Sequence, residues 1–325
     1  MSDKAPASVD DLARRRSDAR SARDWATADA LRAEIEAAGW KVIDDGTAYR
    51  LEPATPPDVD VAGEMRYGRS DAVPSRLHEP ATGVASVVLV ASSEPAETLH
   101  CLDALTSTAP DGTDVVIVAD GLPDRALEGL RGDALGARDG RVPVELVRTS
   151  AVLGQAAALN AGIRRARAAV VLAIDPSVLA TGDLVTPLVR ALDDPSVAIA
   201  GPFGLTSDNL RVFDEAVAGA DAGALRDVAA VQGYLMAFRR ADAVERGPLD
   251  EGFRYYRNLD IWWSLVLRDE GPDRPPRRAL ALDLPLARHE HRDYARADLL
   301  REELHALGVE VVDAADGTSE ARLVR

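Results

Sequence analysis

"LNAGIRRARAAVVLAIDPSVLATGD", residues 159–183, passes from a helical segment through a continuous apolar run to an acid. The run AAVVLAI, residues 168–174, contains no polar side chain. A strand apolar on both faces is a central strand of a parallel sheet covered on both sides. Asp175 stands at its carboxyl end, the edge where parallel α/β sheets bind ligands, so the acid sits where a metal or a ribose is held. Two residues on, where a second acid would complete a metal clamp, the chain has Ser177.

Working outward, ASVVLVA (85–91), DVVIVAD (114–120), VPVELVR (142–148) and SVAIAGP (196–202) are further short β-branched runs. Helical stretches separate the first strands, as expected for parallel βαβ units. Beyond residue 202 the pattern loosens. A strand-like GYLMAFRR (233–240), a helix carrying IWWSLVLRD (261–269) and a strand-like RALALDL (278–284) follow. The expectation is an α/β, Rossmann-like domain: a mostly parallel sheet with helices on both faces and a more irregular second half.

The 325 residues are 46% hydrophobic, enough for a full core, and carry a net charge of −16. That charge argues against DNA and anionic membranes as partners, since phosphate contacts need clustered Lys and Arg. Cys101 is the sole cysteine, so neither an internal disulfide nor a Cys-rich zinc site can form; its leucine neighbours read it as core. The N-terminus lacks an apolar signal core, and no run approaches the roughly 20 residues of a membrane span. A cytoplasmic setting is expected.

Both ends carry related segments. DWATADALRAEIEAAGWKVIDDGT (24–47) aligns with DYARADLLREELHALGVEVVDAADGT (293–318), sharing a helical Ala/Glu/Arg pattern, then Gly39/Gly308, Val42/Val311 and Asp44/Asp313. Each reads as an amphipathic helix, a C′ glycine and a hairpin. The expected layout is a helix–hairpin module at 1–52, a Pro-rich linker at 53–83, the α/β domain at 84–292, and a second module at 293–325. Such modules are too small to stand alone. They are expected to dock on each other, on the large domain, or on a second chain as a homodimer contact.

The first strand is followed by SSEPAE, which excludes the G-x-G-x-x-G of dinucleotide folds and the G-K-[ST] of P-loops. A nucleotidyltransferase would also want a Gly-rich, basic loop there. Asp120-Gly121 and Asp175-Pro176-Ser177 end the second and fourth strands. Acids at these tips suit ribose hydroxyls, base N–H groups or a cation; capping of the following helices is the ordinary alternative.

GQAAALNAGIRRARAAVVLAID (154–175) and LDEGFRYYRNLDIWWSLVLRDEG (249–271), with the first two strand blocks in order, resemble family 2 glycosyltransferases of the GT-A fold over about residues 84–291. The resemblance implies transfer of a sugar from a nucleotide-diphosphate donor to an acceptor hydroxyl, with inversion. In it Asp120 contacts the base or ribose, Asp175 is the first acid of the D-x-D motif, and Asn160 and Gly162 line the donor site. The departures are Ser177 at the second acid, and Arg257-Asn258 where the family has a Glu-Asp pair supplying the general base. Asp260 and Asp250 are the candidate replacements. In RHEHR, residues 288–292, His289 and His291 alternate to one side of an extended segment and with Asp175 would make a metal site; Arg288 and Arg292 would instead neutralise a diphosphate directly. Mg2+ or Mn2+ is therefore expected to be weakly held or dispensed with. The rival class is an inactive sugar-nucleotide-binding or scaffolding protein.

The end segments resemble the C-terminal tail of cysteinyl-tRNA synthetases. Arg14, Arg15, Arg16, Arg20 and Arg23 interleave with Asp10, Asp11, Asp18 and Asp24, so a solvated face is expected rather than RNA binding.

Overall fold

A computed structural model of the protein describes residues 5–45, 48–127, 129–130, 142–216, 225–253, 258–288, 309–313 and 319–323. Cα proximity separates two compact units: Met1–Pro56 together with Glu290–Arg325, and Pro57–His289.

In the first unit, α1 (Ala7–Ser21) packs on α2 (Trp25–Ala37). Asp24 caps α2 by accepting the Thr27 N–H at 3.1 Å. Gly39, at φ +80°, turns the chain into β1 (Trp40–Asp45), which pairs antiparallel with β2 (Ala48–Pro53). Val9, Ala13 and Ile35 form the core, with Trp40, Val42, Tyr49 and Leu51 packed against them. The buried Arg16 guanidinium donates to both Asp44 carboxylate oxygens at 2.8 and 3.0 Å. This two-point bond raises the Arg16 pKa and lowers that of Asp44.

The second unit is built on one ten-stranded sheet. Its strands are β3 (Val59–Val61), β4 (Glu64–Tyr67), β5 (Ala85–Val90), β6 (Thr113–Ala119), β7 (Val144–Thr149), β8 (Val170–Ile174), β10 (Val197–Gly201), β13 (Arg226–Val228), β15 (Leu235–Arg239) and β16 (Arg278–Ala281). The order is β13-β16-β10-β15-β8-β5-β6-β7-β4-β3. Pairing is parallel from β8 through β5, β6 and β7 to β4, and between β10 and β16. β15 runs antiparallel between β10 and β8, and β13 and β3 are antiparallel edges.

Side chains alternate between two cores, one on each face. Ala85, Val87 and Leu89 of β5 face α3 (Pro95–Thr108) and α5 (Val185–Ala191). Val88 faces α4 (Gln155–Ile163) and α7 (Leu259–Arg268). α6 is Arg240–Arg246. Two small sheets stand beside the carboxyl edge: β9 (Val178–Ala180) with β17 (Leu286–Arg288), and β11 (Gly204–Thr206) between β12 (Asp214–Glu215) and β14 (Ala230–Val231). At the chain's end β18 (Val309–Asp313) pairs antiparallel with β19 (Ser319–Leu323); the helix expected before it lies outside the described residues.

The segment expected as a linker, 53–83, is not one throughout. β3 and β4 form a hairpin within it, and β4 extends the large sheet beside β7. Arg148, 2% exposed, explains the docking: it binds Glu64 of β4 at 2.9 Å and Asp124 at 2.6 Å. Prolines hid this strand from the pattern because it is short and its partners are distant.

Candidate functional site

The carboxyl ends of β5, β6, β8, β10 and β16 share one edge, which gathers most of the expected residues. Asp120 follows β6. Its Oδ1 accepts the Leu153 N–H at 2.8 Å and lies 2.9 Å from Thr149 Oγ1, while Oδ2 accepts the Gly154 N–H at 2.9 Å. The acid therefore clamps loop 150–154 against its own strand end. A Cβ on Gly121 would come within 2.5 Å of the Val152 nitrogen, so the two loops touch backbone to backbone.

Asp175 follows β8, and its N–H donates to the Tyr234 carbonyl at 2.8 Å. Its Oδ1 accepts the Ser177 N–H at 2.9 Å and the Ser177 hydroxyl at 2.5 Å. Ser177 is buried and turned toward Asp175 rather than outward beside it as a second ligand.

Asp260 lies in the first turn of α7. Its Oδ2 accepts the Gly233 N–H and its Oδ1 the Ile261 N–H, both at 2.9 Å. Burial pushes this carboxyl above the ordinary Asp range, against the lowering effect of those bonds. The turn at Gly233–Tyr234 thus joins the two acids, taking Asp260 at one residue and Asp175 at the next. Asp250 is exposed and accepts the Gly252 N–H at 2.9 Å.

Asn160 and Gly162 each make structural contacts. Asn160 is buried; its Oδ1 accepts the Leu249 N–H at 2.9 Å, and its Nδ2 donates to the Leu249 carbonyl at 2.8 Å and to Glu251 at 2.9 Å. Glu251 also accepts the Ser70 hydroxyl. A Cβ on Gly162 would lie 2.3 Å from Val88 Cγ1, so the glycine is there to let α4 lie on the sheet.

The Arg288 guanidinium sits 4.3 Å from the Tyr234 ring centre and 5.5 Å from that of Phe203, two rings arranged edge to face. Phe203 also lines a cavity of about 250 Å³ with Glu215, Gln232, Arg226 and Asp283, at the ends of β10 and β16. None of these lining residues, nor Tyr234, was apparent from the sequence, because the loops that bring them together share no period. Trp263 is buried and Trp262 half-buried against Phe253. His289, His291, Arg292 and Arg257 lie outside the described residues. Among those described, no group of three His, Cys, Asp or Glu is placed to hold a metal.

Residues 86–216 match the family model described as Glycosyl transferase family 2. Among solved structures, GalNAc-T7 with UDP, GalNAc and Mn2+ is similar at a TM-score of 0.53 and 15% identity, over 64% of this chain and 45% of that one. The fold is GT-A. The mannosyltransferase PcManGT from Pyrobaculum calidifontis, with GDP-Man and Mn2+, matches at 0.49 and 20% identity, over 72% of this chain and 64% of that one. Residues 2–49 match the Cysteinyl-tRNA ligase anticodon binding domain. A cysteine–tRNA ligase from Opitutus terrae is 57% identical over 49 residues, 15% of this chain and 11% of the ligase. The chain thus spans less than half of the GalNAc-T7 chain and about a tenth of the ligase. A GT-A domain accounts for the shared edge of Asp120 and Asp175; no described helix is long and apolar enough to cross a membrane.

Proposed function

We propose that this protein is a glycosyltransferase that moves a hexosyl group from a nucleotide-diphosphate sugar to an acceptor hydroxyl. The observation carrying the reading is the pairing of Asp175 and Asp260 through one turn, at the carboxyl edge of a GT-A sheet. Asp175 has Oδ2 left to meet the donor's ribose, and the loop clamped by Asp120 borders the nucleoside. The 250 Å³ cavity is of a size for one sugar ring, with Phe203 as a face and Glu215, Gln232 and Asp283 as hydroxyl partners.

In the reaction the acceptor oxygen attacks the anomeric carbon as the bond to the diphosphate breaks. The acceptor's proton passes to Asp260, and the nucleoside diphosphate leaves. A single displacement of this kind inverts the anomeric centre. A carboxyl raised by burial is the better-matched base near neutral pH. UDP, which is bound to the similar GalNAc-T7, is the donor nucleotide to try first.

A second reading, a sugar-nucleotide-binding protein without turnover, rests on Asn258 standing in the family's acid position, in a left-handed turn at φ +67°. Loss of a general base costs about 10² to 10⁴ in rate. Thermal protection by UDP-, GDP- or TDP-sugars, followed by acceptor-dependent release of nucleoside diphosphate, is expected for the transferase. Protection without release would select the second reading, and no protection by any donor would reject both.

A further inference from the structure

We propose that the Arg288 guanidinium, seated on Tyr234 and Phe203, grips the donor's diphosphate in place of a divalent cation held by the protein. The inference rests on the transferase reading above and names how its site handles charge. In the β9–β17 pairing Arg288 lies opposite Val178, next to Ser177 and three residues along from Asp175. The ring under it, Tyr234, is the residue whose carbonyl holds the Asp175 N–H. Arg288 therefore belongs to the D-x-D edge by two separate connections.

Stacking on ring faces holds a guanidinium while leaving its in-plane N–H groups free, and those groups match phosphate oxygens two at a time. Arg288 is exposed, and among the described residues no carboxylate pairs with it. That is unusual in a chain with 54 acids against 38 Lys and Arg, where Arg148, Arg246, Arg277 and Arg278 all have acid partners. An unpaired cation fixed over aromatic faces at an acidic protein's ligand edge is placed for an anion from solution.

The Asp175 donor set does not fit a metal ion equally well. Mg2+ and Mn2+ want several oxygen ligands. Of the described groups here, one carboxylate oxygen already receives both Ser177 donors, the serine hydroxyl points at that oxygen, and the residue that holds the Asp175 N–H carries a cation over its ring.

The test is calorimetric titration of the full chain with UDP, GDP, uridine and guanosine, in EDTA and then with Mn2+ or Mg2+. Diphosphate binding should persist in EDTA. Arg288→Met should weaken it by about 10- to 100-fold, the loss expected for a charge-assisted contact, while the nucleoside binds as before. Arg288→Lys, which keeps the charge without the planar fork, should recover part of the affinity. Binding that vanishes in EDTA and returns with Mn2+ would overturn the proposal and leave the transferase reading standing. So would wild-type UDP and GDP affinity in Arg288→Met. Failure of every nucleotide and nucleoside to bind would defeat both.

Discussion

Asp175 is tied on its backbone side to Tyr234 and on its side-chain side to Ser177, so its position is fixed before any ligand arrives. Asp175→Asn keeps an oxygen for the Ser177 donors and should cost under about 1 kcal/mol in stability. Its loss of charge toward the ligand should weaken donor binding by about 10-fold or more, as titration will show. Ser177→Asp sharpens the point: with Arg288 rather than a metal on the diphosphate, a second carboxylate should lower donor affinity in EDTA. Asp260 makes a pH prediction. Burial raises its folded-state pKa, so its contribution to stability is present below the unfolded value, near 3.9, and is lost as pH rises through the folded value. As a base it works only when deprotonated, so the acid limb of kcat/KM should lie above the ordinary carboxylate range. Asp260→Asn, which still accepts the Gly233 N–H, should abolish turnover; a variant that keeps it would remove Asp260 from the mechanism. Asp120 and Asp175 were legible in the sequence because each ends an apolar run. What holds them was not, since the partners of Asp120 are 33 and 34 residues away and Tyr234 is 59 away from Asp175 by number.

Strands announced themselves where burial on both faces left unbroken apolar runs, as in β5, β6 and β8. Elements whose stability comes from one long-range contact did not. The β3–β4 hairpin has three exposed residues in β3 and is held by Arg148, so nothing periodic marks it. Likewise the resemblance gives Asn160 of α4 a donor-site position, but its bond to Leu249, 89 residues on, left no mark in the sequence. Its three hydrogen bonds set loop 249–251, and with it Asp250 and Glu251, against α4. Asn160→Leu would strand the Leu249 N–H and carbonyl in a buried setting, at about 1–3 kcal/mol for an unsatisfied group. Denaturant unfolding should show that loss, and hydrogen exchange should quicken at 249–253 before the rest of the sheet. Unchanged exchange there would mean the loop is held by something other than this brace.

At the scale of the whole molecule, the first unit has an internal answer to its arginines. Arg14 pairs with Asp11, and Arg16 and Arg20 share Asp44, so three of the five arginines of this segment have acid partners within the unit. The second unit holds Asp120, Asp175, Asp260 and Arg288, while the sequence candidates His291 and Arg292 fall in the first, which makes the boundary a test of the whole reading. A chain cut to residues 57–289 should bind donor with the affinity of the full protein, because Asp120, Asp175, Asp260 and Arg288 all lie within it. One begun at residue 84, where the sequence pattern puts the domain start, removes β3, β4 and Ser70. It bares the β7 edge, strips Glu64 from the buried Arg148, and takes one partner from Glu251. Exposed parallel edges recruit other chains, so this shorter form should elute from size exclusion as aggregate while the longer one stays monodisperse. Equal behaviour of the two would show that the hairpin only decorates the sheet. Loss of donor binding in a well-folded 57–289 chain would move part of the site into the first unit.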